Sequence, residues 1–273
     1  MKKKNIVEIE SRGKEKIVKG RENNYIVEMK GICKSFGGLQ ALNKVTFELR
    51  YNEILGLVGD NAAGKSTLMK ILTGAYQADE GKVFFEGKEA HIPSPHISRE
   101  IGIEMVYQNF ALCPNLDVAG NLFLGREVTR GRIFGGFLRK KKMEREALQA
   151  LHRLKIDIKN PRIRVDRLSG GQQQAVAVGK ATSFNPKVVI MDEPTANLAL
   201  KEIGKVLELT LRLKEHGISI IFITHRLEDI FTVSDRIFVL RHGQRVEVKE
   251  KAKTNKDEIV RLMFIGTEVN QDR

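Results

Sequence analysis

The 273-residue sequence contains no uncharged apolar run near the roughly 20 residues that span a bilayer, and its lysine-rich start lacks the long apolar stretch of a secretion signal. Cysteine is scarce. Cys33 and Cys113 lie far apart without metal-ligand spacing, which argues against a disulfide scaffold and against a zinc module. No internal repeat is evident, and no low-complexity segment exceeds the lysine runs. These absences predict a soluble, intracellular globular protein of one domain or two small ones, long enough to build its core without cross-links.

Basic residues are in excess, 47 Lys and Arg against 34 Asp and Glu, for a net charge of +13. Residues 1–21 hold eight Lys/Arg and three Glu, and residues 126–145 hold eight Lys/Arg and two Glu, so two short segments supply 11 of the 13 charges. The remainder is close to neutral. That argues against a broad nucleic-acid-binding face and for two local basic features, suited to solvent or to anionic phosphates at a membrane surface.

Residues 1–24 read as a basic arm, residues 25–266 as the folded domain and residues 267–273 as a tail. Short strand-like runs cover Ile26–Met29 and Val45–Leu49, and Ile54–Val58 is apolar enough to be buried on both faces. A glycine loop follows, then Leu68, Ile71, Leu72 and Ala75 at helical spacing, closed by Gly74. Val83–Glu86 and Glu89–Ile92 form an expected hairpin about Gly87-Lys88. From about Pro93 to Leu168 the chain is read as a mainly helical insertion with a helix over Lys142–Leu154. Parallel-sheet patterning resumes with Val188–Met191 and Ile218–Thr224, joined by a helix over Glu202–His216, and ends in a hairpin of Ile237–Leu240 and Arg245–Val248.

The loop Gly59-Asp60-Asn61-Ala62-Ala63-Gly64-Lys65-Ser66 fits G-x-x-x-x-G-K-[ST] and lies between a buried strand and a helix. Backbone N–H groups at such a helix start face a polyphosphate, Gly64 permits close approach, Lys65 neutralises β/γ oxygens, and the Ser66 hydroxyl suits Mg²⁺. Val188-Val189-Ile190-Met191-Asp192-Glu193 is a buried strand ending in two carboxylates. In that pairing Asp192 would hold hydrated Mg²⁺, and Glu193, ionised at neutral pH, would polarise an attacking water.

A second glycine motif, Leu168-Ser169-Gly170-Gly171-Gln172, precedes a helical run over Gln173–Ala181. It is another phosphate-facing helix start, although one nucleotide needs only one cradle. With this pair of motifs the chain resembles the ATP-binding subunits of ABC transporters over about Tyr25 to Gly266. The resemblance implies an α/β P-loop NTPase fold with a mainly parallel core sheet, an antiparallel β subdomain and a helical insertion. It implies ATP as substrate with Mg²⁺, bound along Gly59 to Thr67, with Ser169, Gly170, Gly171 and Gln172 completing the ATP site of a second subunit. It also matches Phe36 to the aromatic that stacks on adenine. Gln108 matches the glutamine that touches Mg²⁺ and the attacking water, and His225 the histidine that contacts the γ-phosphate.

Three positions depart from that family pattern: Ala62 replaces a glycine, Gln173 stands where arginine is common, and Ala199 replaces an aspartate after the acidic strand. An alanine at a left-handed position would cost about 1 kcal/mol or more. The stretch from Asn115 to Glu127, with the basic segment to Met143, resembles the simple-sugar import subfamily of ribose, galactose and fructose type. That resemblance implies a second ATPase subunit, an integral membrane permease and, indirectly, an extracytoplasmic sugar-binding protein. It places the chain on the cytoplasmic face of the membrane. The other readings are a soluble ABC protein acting on nucleic acid or the ribosome, suggested by the +13 charge, and a low-turnover regulatory subunit, suggested by Ala62 and Ala199.

Overall fold

The computed structural model describes residues 24–107, 109, 111–130 and 136–266. Gln108, the tail 267–273 and nearly all of the basic arm lie outside the described residues. Two long strands, Tyr25–Phe36 (β1) and Leu39–Arg50 (β2), open the chain, followed by the wholly buried Ile54–Val58 (β3) and the helix Lys65–Leu72 (α1). Glu80–Phe85 (β4) and Lys88–Glu89 (β5) make a hairpin, and Pro95–Ile101 (α2), Ile103–Val106 (β6), Val118–Leu122 (α3) and Lys140–Arg153 (α4) follow. The second half contains Gly170–Thr182 (α5), Val188–Asp192 (β7), Leu200–Glu215 (α6), Ser219–Ile223 (β8), Leu227–Val233 (α7), Arg236–Arg241 (β9), Gln244–Glu250 (β10) and Lys256–Phe264 (α8).

These strands form two sheets. One is antiparallel, in the order β2-β1-β4-β5; the other has six strands in the order β10-β9-β3-β8-β7-β6, parallel throughout except for the β9–β10 hairpin. Period-two alternation explains why its central strands are apolar without a break. Ile54 and Val58 of β3, Val189 and Met191 of β7, and Ile220 and Phe222 of β8 face one core, with α3 to α8. Leu55, Leu57, Val188, Ile190, Ile221 and Ile223 face the other, against the antiparallel sheet and α1. Phe47 of β2 meets Phe238 of β9 there, ring centroids 5.1 Å apart. Each such fully buried side chain contributes about 1.5–3 kcal/mol.

A buried ion pair fastens the turn before β3 to β9. Arg236 donates from Nε to Glu53 Oε1 at 2.5 Å and from Nη2 to Oε2 at 2.9 Å. Glu53 Oε2 also accepts from the Arg50 N–H at 2.7 Å, so the carboxylate is paired on both sides.

The expected α/β class, parallel core, antiparallel subdomain and closing hairpin are present. The segment 93–168 is helical in most of its regular structure, with one correction: Ile103–Val106 is the edge strand of the parallel sheet, in register with β7. Its sequence, with Glu104 between apolar residues, is too short to show a period. The hairpin after α1 turns through Glu86-Gly87, with Phe85 opposite Lys88, and its second arm is only two residues long. Gly87 at φ +78° and Glu86 at φ +51° occupy that turn.

Candidate active site

The glycine loop sits where β3 emerges from the sheet. A Cβ on Gly59 would lie 2.1 Å from the Leu240 carbonyl oxygen, and one on Gly64 would lie 2.7 Å from that of Ala41, so both close approaches need glycine. Gly64 is the N-cap of α1 at φ +99°, with no side-chain cap and no acid in the first turn. The N–H groups of Lys65, Ser66 and Thr67 therefore open a helix N-terminus that has no side-chain cap among the described residues. The loop is braced from within, Ala62 N donating to Asp60 Oδ1 at 2.9 Å, and from outside, Gly243 N donating to Ala63 O at 3.0 Å. Ala62 is not among the residues with positive φ, so the alanine there carries no left-handed strain.

Lys65 curls over this loop and donates to the Gly59 and Asp60 carbonyls at 2.8 and 2.6 Å. Burial pulls its pKa below the ordinary lysine value, opposed by the carboxylates of Glu193, Asp60 and Asp192. The same charges link the loop to the end of β7. Asp192 is held above the ordinary carboxylate range by burial and then by Glu193, with Lys65 acting against both.

Glu193 follows β7 with φ +51°, a left-handed backbone fixed by its N–H to the Ile223 carbonyl at 2.9 Å. Such a conformation in a non-glycine residue costs about 1–3 kcal/mol, and here it turns the side chain away from the strand's alternation. His225, just beyond β8, places Nδ1 at 2.9 Å from Glu193 Oε2. The structure thus joins Lys65, Asp192, Glu193 and His225 around one loop.

Other expected residues sit apart from this group. Phe36 ends β1 with 43% of its surface exposed, edge-on to Tyr76 at 5.2 Å, so it is a surface aromatic and not a core residue. Ser169 is the N-cap of α5 in a full capping box with Gln172. Its hydroxyl donates to Glu202 Oε1 at 3.1 Å, so this tip is engaged with α6 of its own chain. Gln173 donates from Nε2 to the Val165 and Leu168 carbonyls, bracing the turn before the tip. Ala199 is the N-cap of α6 and supplies no side-chain cap.

Two residues had no signal in the sequence, one behind Glu193 and one at the Ser169 tip. Asp229 on α7 accepts from Thr195 Oγ1 at 2.6 Å in a buried contact that holds the segment after Glu193. Glu202 is an ordinary acid in a helix until the fold brings it to Ser169. Among the described residues no group of three or more His, Cys, Asp or Glu side chains is placed to hold a metal ion.

Residues 42–196 match the ABC transporter family. The chain is 45% identical over 238 residues to the xylose/arabinose import ATP-binding protein XylG of Sulfolobus acidocaldarius, covering 87% of this chain and 93% of that protein. It is 43% identical over 246 residues to the ribose import ATP-binding protein RbsA of Geobacillus kaustophilus, covering 90% of this chain and 49% of that one. It therefore spans about half the length of the ribose relative. Among solved structures, a dimeric ATP-binding cassette in a post-hydrolysis state bound to ADP and Pi is similar with a TM-score of 0.69 and 26% identity, covering 82% of this chain and 98% of that one.

Proposed function

This chain belongs to the ABC transporter family, and from that premise we propose that it binds and hydrolyses ATP to drive import of a simple sugar through a partner permease. The observation that carries the reading is the uncapped N-terminus of α1, ringed by Lys65, Asp192, Glu193 and His225. The N–H groups of the first turn and the Lys65 ammonium bind the phosphates, taking over bonds that the lysine now gives to its own loop. Glu193 orients and deprotonates the water that attacks the γ-phosphorus as the bond to the ADP oxygen breaks, and His225 steadies both Glu193 and the transferred group. Phe36 stacks on the adenine ring.

Mg²⁺ fits this donor set, because Asp192 is a carboxylate that burial disfavours when ionised and a cation beside it would reverse that cost. Ser66 and Asp192 would hold it, and it would neutralise charge on the phosphates. The tip at Ser169, Gly170, Gly171 and Gln172 lies on a separate helix start and serves the ATP held by a second copy, in a head-to-tail pair. The dimeric cassette described above supports this arrangement. No helix among the described residues is long and apolar enough to cross a membrane. The reading seats the chain on the cytoplasmic face of the membrane, against an integral permease fed by a sugar-binding protein. The import proteins to which it is similar favour this over action on nucleic acid.

The test is ATP hydrolysis by the chain reconstituted with its permease in vesicles. Sugar-loaded binding protein should stimulate turnover, and Glu193→Gln should abolish it. Turnover in the Glu193→Gln variant equal to that of the wild type would overturn the catalytic assignment, and indifference to the sugar-loaded binding protein would overturn the import role.

A further inference from the structure

The Ser169 hydroxyl has one proton, and in this chain that proton is given to Glu202 Oε1 at 3.1 Å while the oxygen accepts from Gln172 N at 3.3 Å. The carboxylate also fills the space above the first turn of α5. A Cβ built on Gly171 would meet Cγ, Cδ and Oε1 of Glu202, each at 2.9 Å. A carboxylate therefore rests over the first turn of a helix already capped by Ser169, the position and charge that an incoming phosphate would take there. The contact is made across two helices, since Glu202 stands in the first turn of α6, whose own N-cap, Ala199, has no side-chain acceptor.

We propose that Glu202 competes with nucleotide for the Ser169 tip: in the separate subunit it holds the hydroxyl proton and the space over Gly171, and it must swing away before the tip closes on ATP carried by a second copy. The inference rests on the two-copy site proposed above and adds to it an intrasubunit contact that opposes closure until ATP is bound. Glu202 is a positioning residue in this scheme, acting through Ser169 and touching no reacting atom. Dimerisation without nucleotide is disfavoured by the same contact, because two such carboxylates would be brought against the phosphate loops' own acids, Asp60, Asp192 and Glu193.

The experiment measures ATP-dependent dimerisation by analytical ultracentrifugation in the Glu193→Gln background, which does not consume the nucleotide. Glu202→Ala should lower the ATP concentration needed for half-dimerisation by about tenfold, the worth of one hydrogen bond to a charged group. Glu202→Gln, which keeps an acceptor without its charge, should fall between. Thermal unfolding of the nucleotide-free monomer gives a second readout: losing the contact should not stabilise the monomer, while the dimer tightens. A midpoint that stays put or rises in Glu202→Ala overturns the inference alone. Absence of any ATP-dependent dimer in the Glu193→Gln parent overturns the two-copy site and the inference with it.

Discussion

His225 Nδ1 lies 2.9 Å from Glu193 Oε2, across the ends of the neighbouring parallel strands β8 and β7. The backbone of Glu193 is already fixed in a left-handed turn by the Ile223 carbonyl, so the histidine restrains what freedom the side chain retains. His225→Ala should lower kcat by about ten- to a hundredfold, less than the 10²–10⁴-fold expected on losing the general base in Glu193→Gln. Nucleotide affinity should change by less than about threefold in Glu193→Gln, because that side chain supplies none of the phosphate cradle, and should weaken more in His225→Ala, which loses a contact to the γ-phosphate. Steady-state kinetics with equilibrium binding of a fluorescent ATP analogue checks both.

Gly59 is required by packing before it is required by nucleotide. Its absent Cβ would overlap the Leu240 carbonyl oxygen at 2.1 Å, and backbone cannot step aside as a side chain can. Gly59→Ala should destabilise the nucleotide-free protein by about 3 kcal/mol, the upper part of the overpacking range. Urea unfolding without nucleotide separates this from a loss of binding.

The Glu53–Arg236 pair should show strong coupling. Both side chains are at least nine-tenths buried, and their two bonds join segments 183 residues apart. Arg236→Met leaves a buried carboxylate without its counter-charge and should cost about 3–5 kcal/mol. Adding Glu53→Leu to it should recover much of that loss, a non-additivity that a double-mutant cycle in denaturant measures.

Asp192 makes the stability of the protein sensitive to pH. Burial and Glu193 raise its folded pKa above the unfolded value, so the folded state binds the proton more tightly. Its ionisation costs stability that is absent below the ordinary carboxylate range, near pH 4, and is fully felt once pH exceeds the raised value. Asp192→Asn should therefore raise the melting temperature of the nucleotide-free, metal-free protein at pH 7, and the gain should vanish as pH falls through the carboxylate range. Calorimetry at several pH values reads this directly.

The sequence shows most plainly what is fixed by short-range rules. Ile54–Val58 is legible as a strand to the residue, because both its faces are buried and no polar residue interrupts it. The glycine loop, Asp192-Glu193 and the helix start at Ser169 are legible because each is a local chain geometry with its own residue requirements. The strand Ile103–Val106 is obscured by Glu104, which is tolerated because it reaches Arg126 at 2.5 Å from an edge strand. β1 and β2 run longer than their apolar runs, because bulged pairing continues through Lys34 and Ser35. Glu202 and the Glu53–Arg236 pair are invisible in sequence for a common reason: their partners are set by tertiary folding, 33 and 183 residues away.

The central claim is that each ATP is held by the Lys65 loop of one copy and the Ser169 tip of the other. Lys65→Ala disables the loop, and Ser169→Asp disables the tip by charge while keeping a good N-cap. Each variant alone should be inactive. Mixed in equal amounts they should regain hydrolysis, because each mixed dimer rebuilds one complete site from the sound loop of one copy and the sound tip of the other, about a quarter of all sites under random pairing. If both variants fold and pair yet their mixture stays as inactive as either alone, the site does not span two copies and the account is wrong.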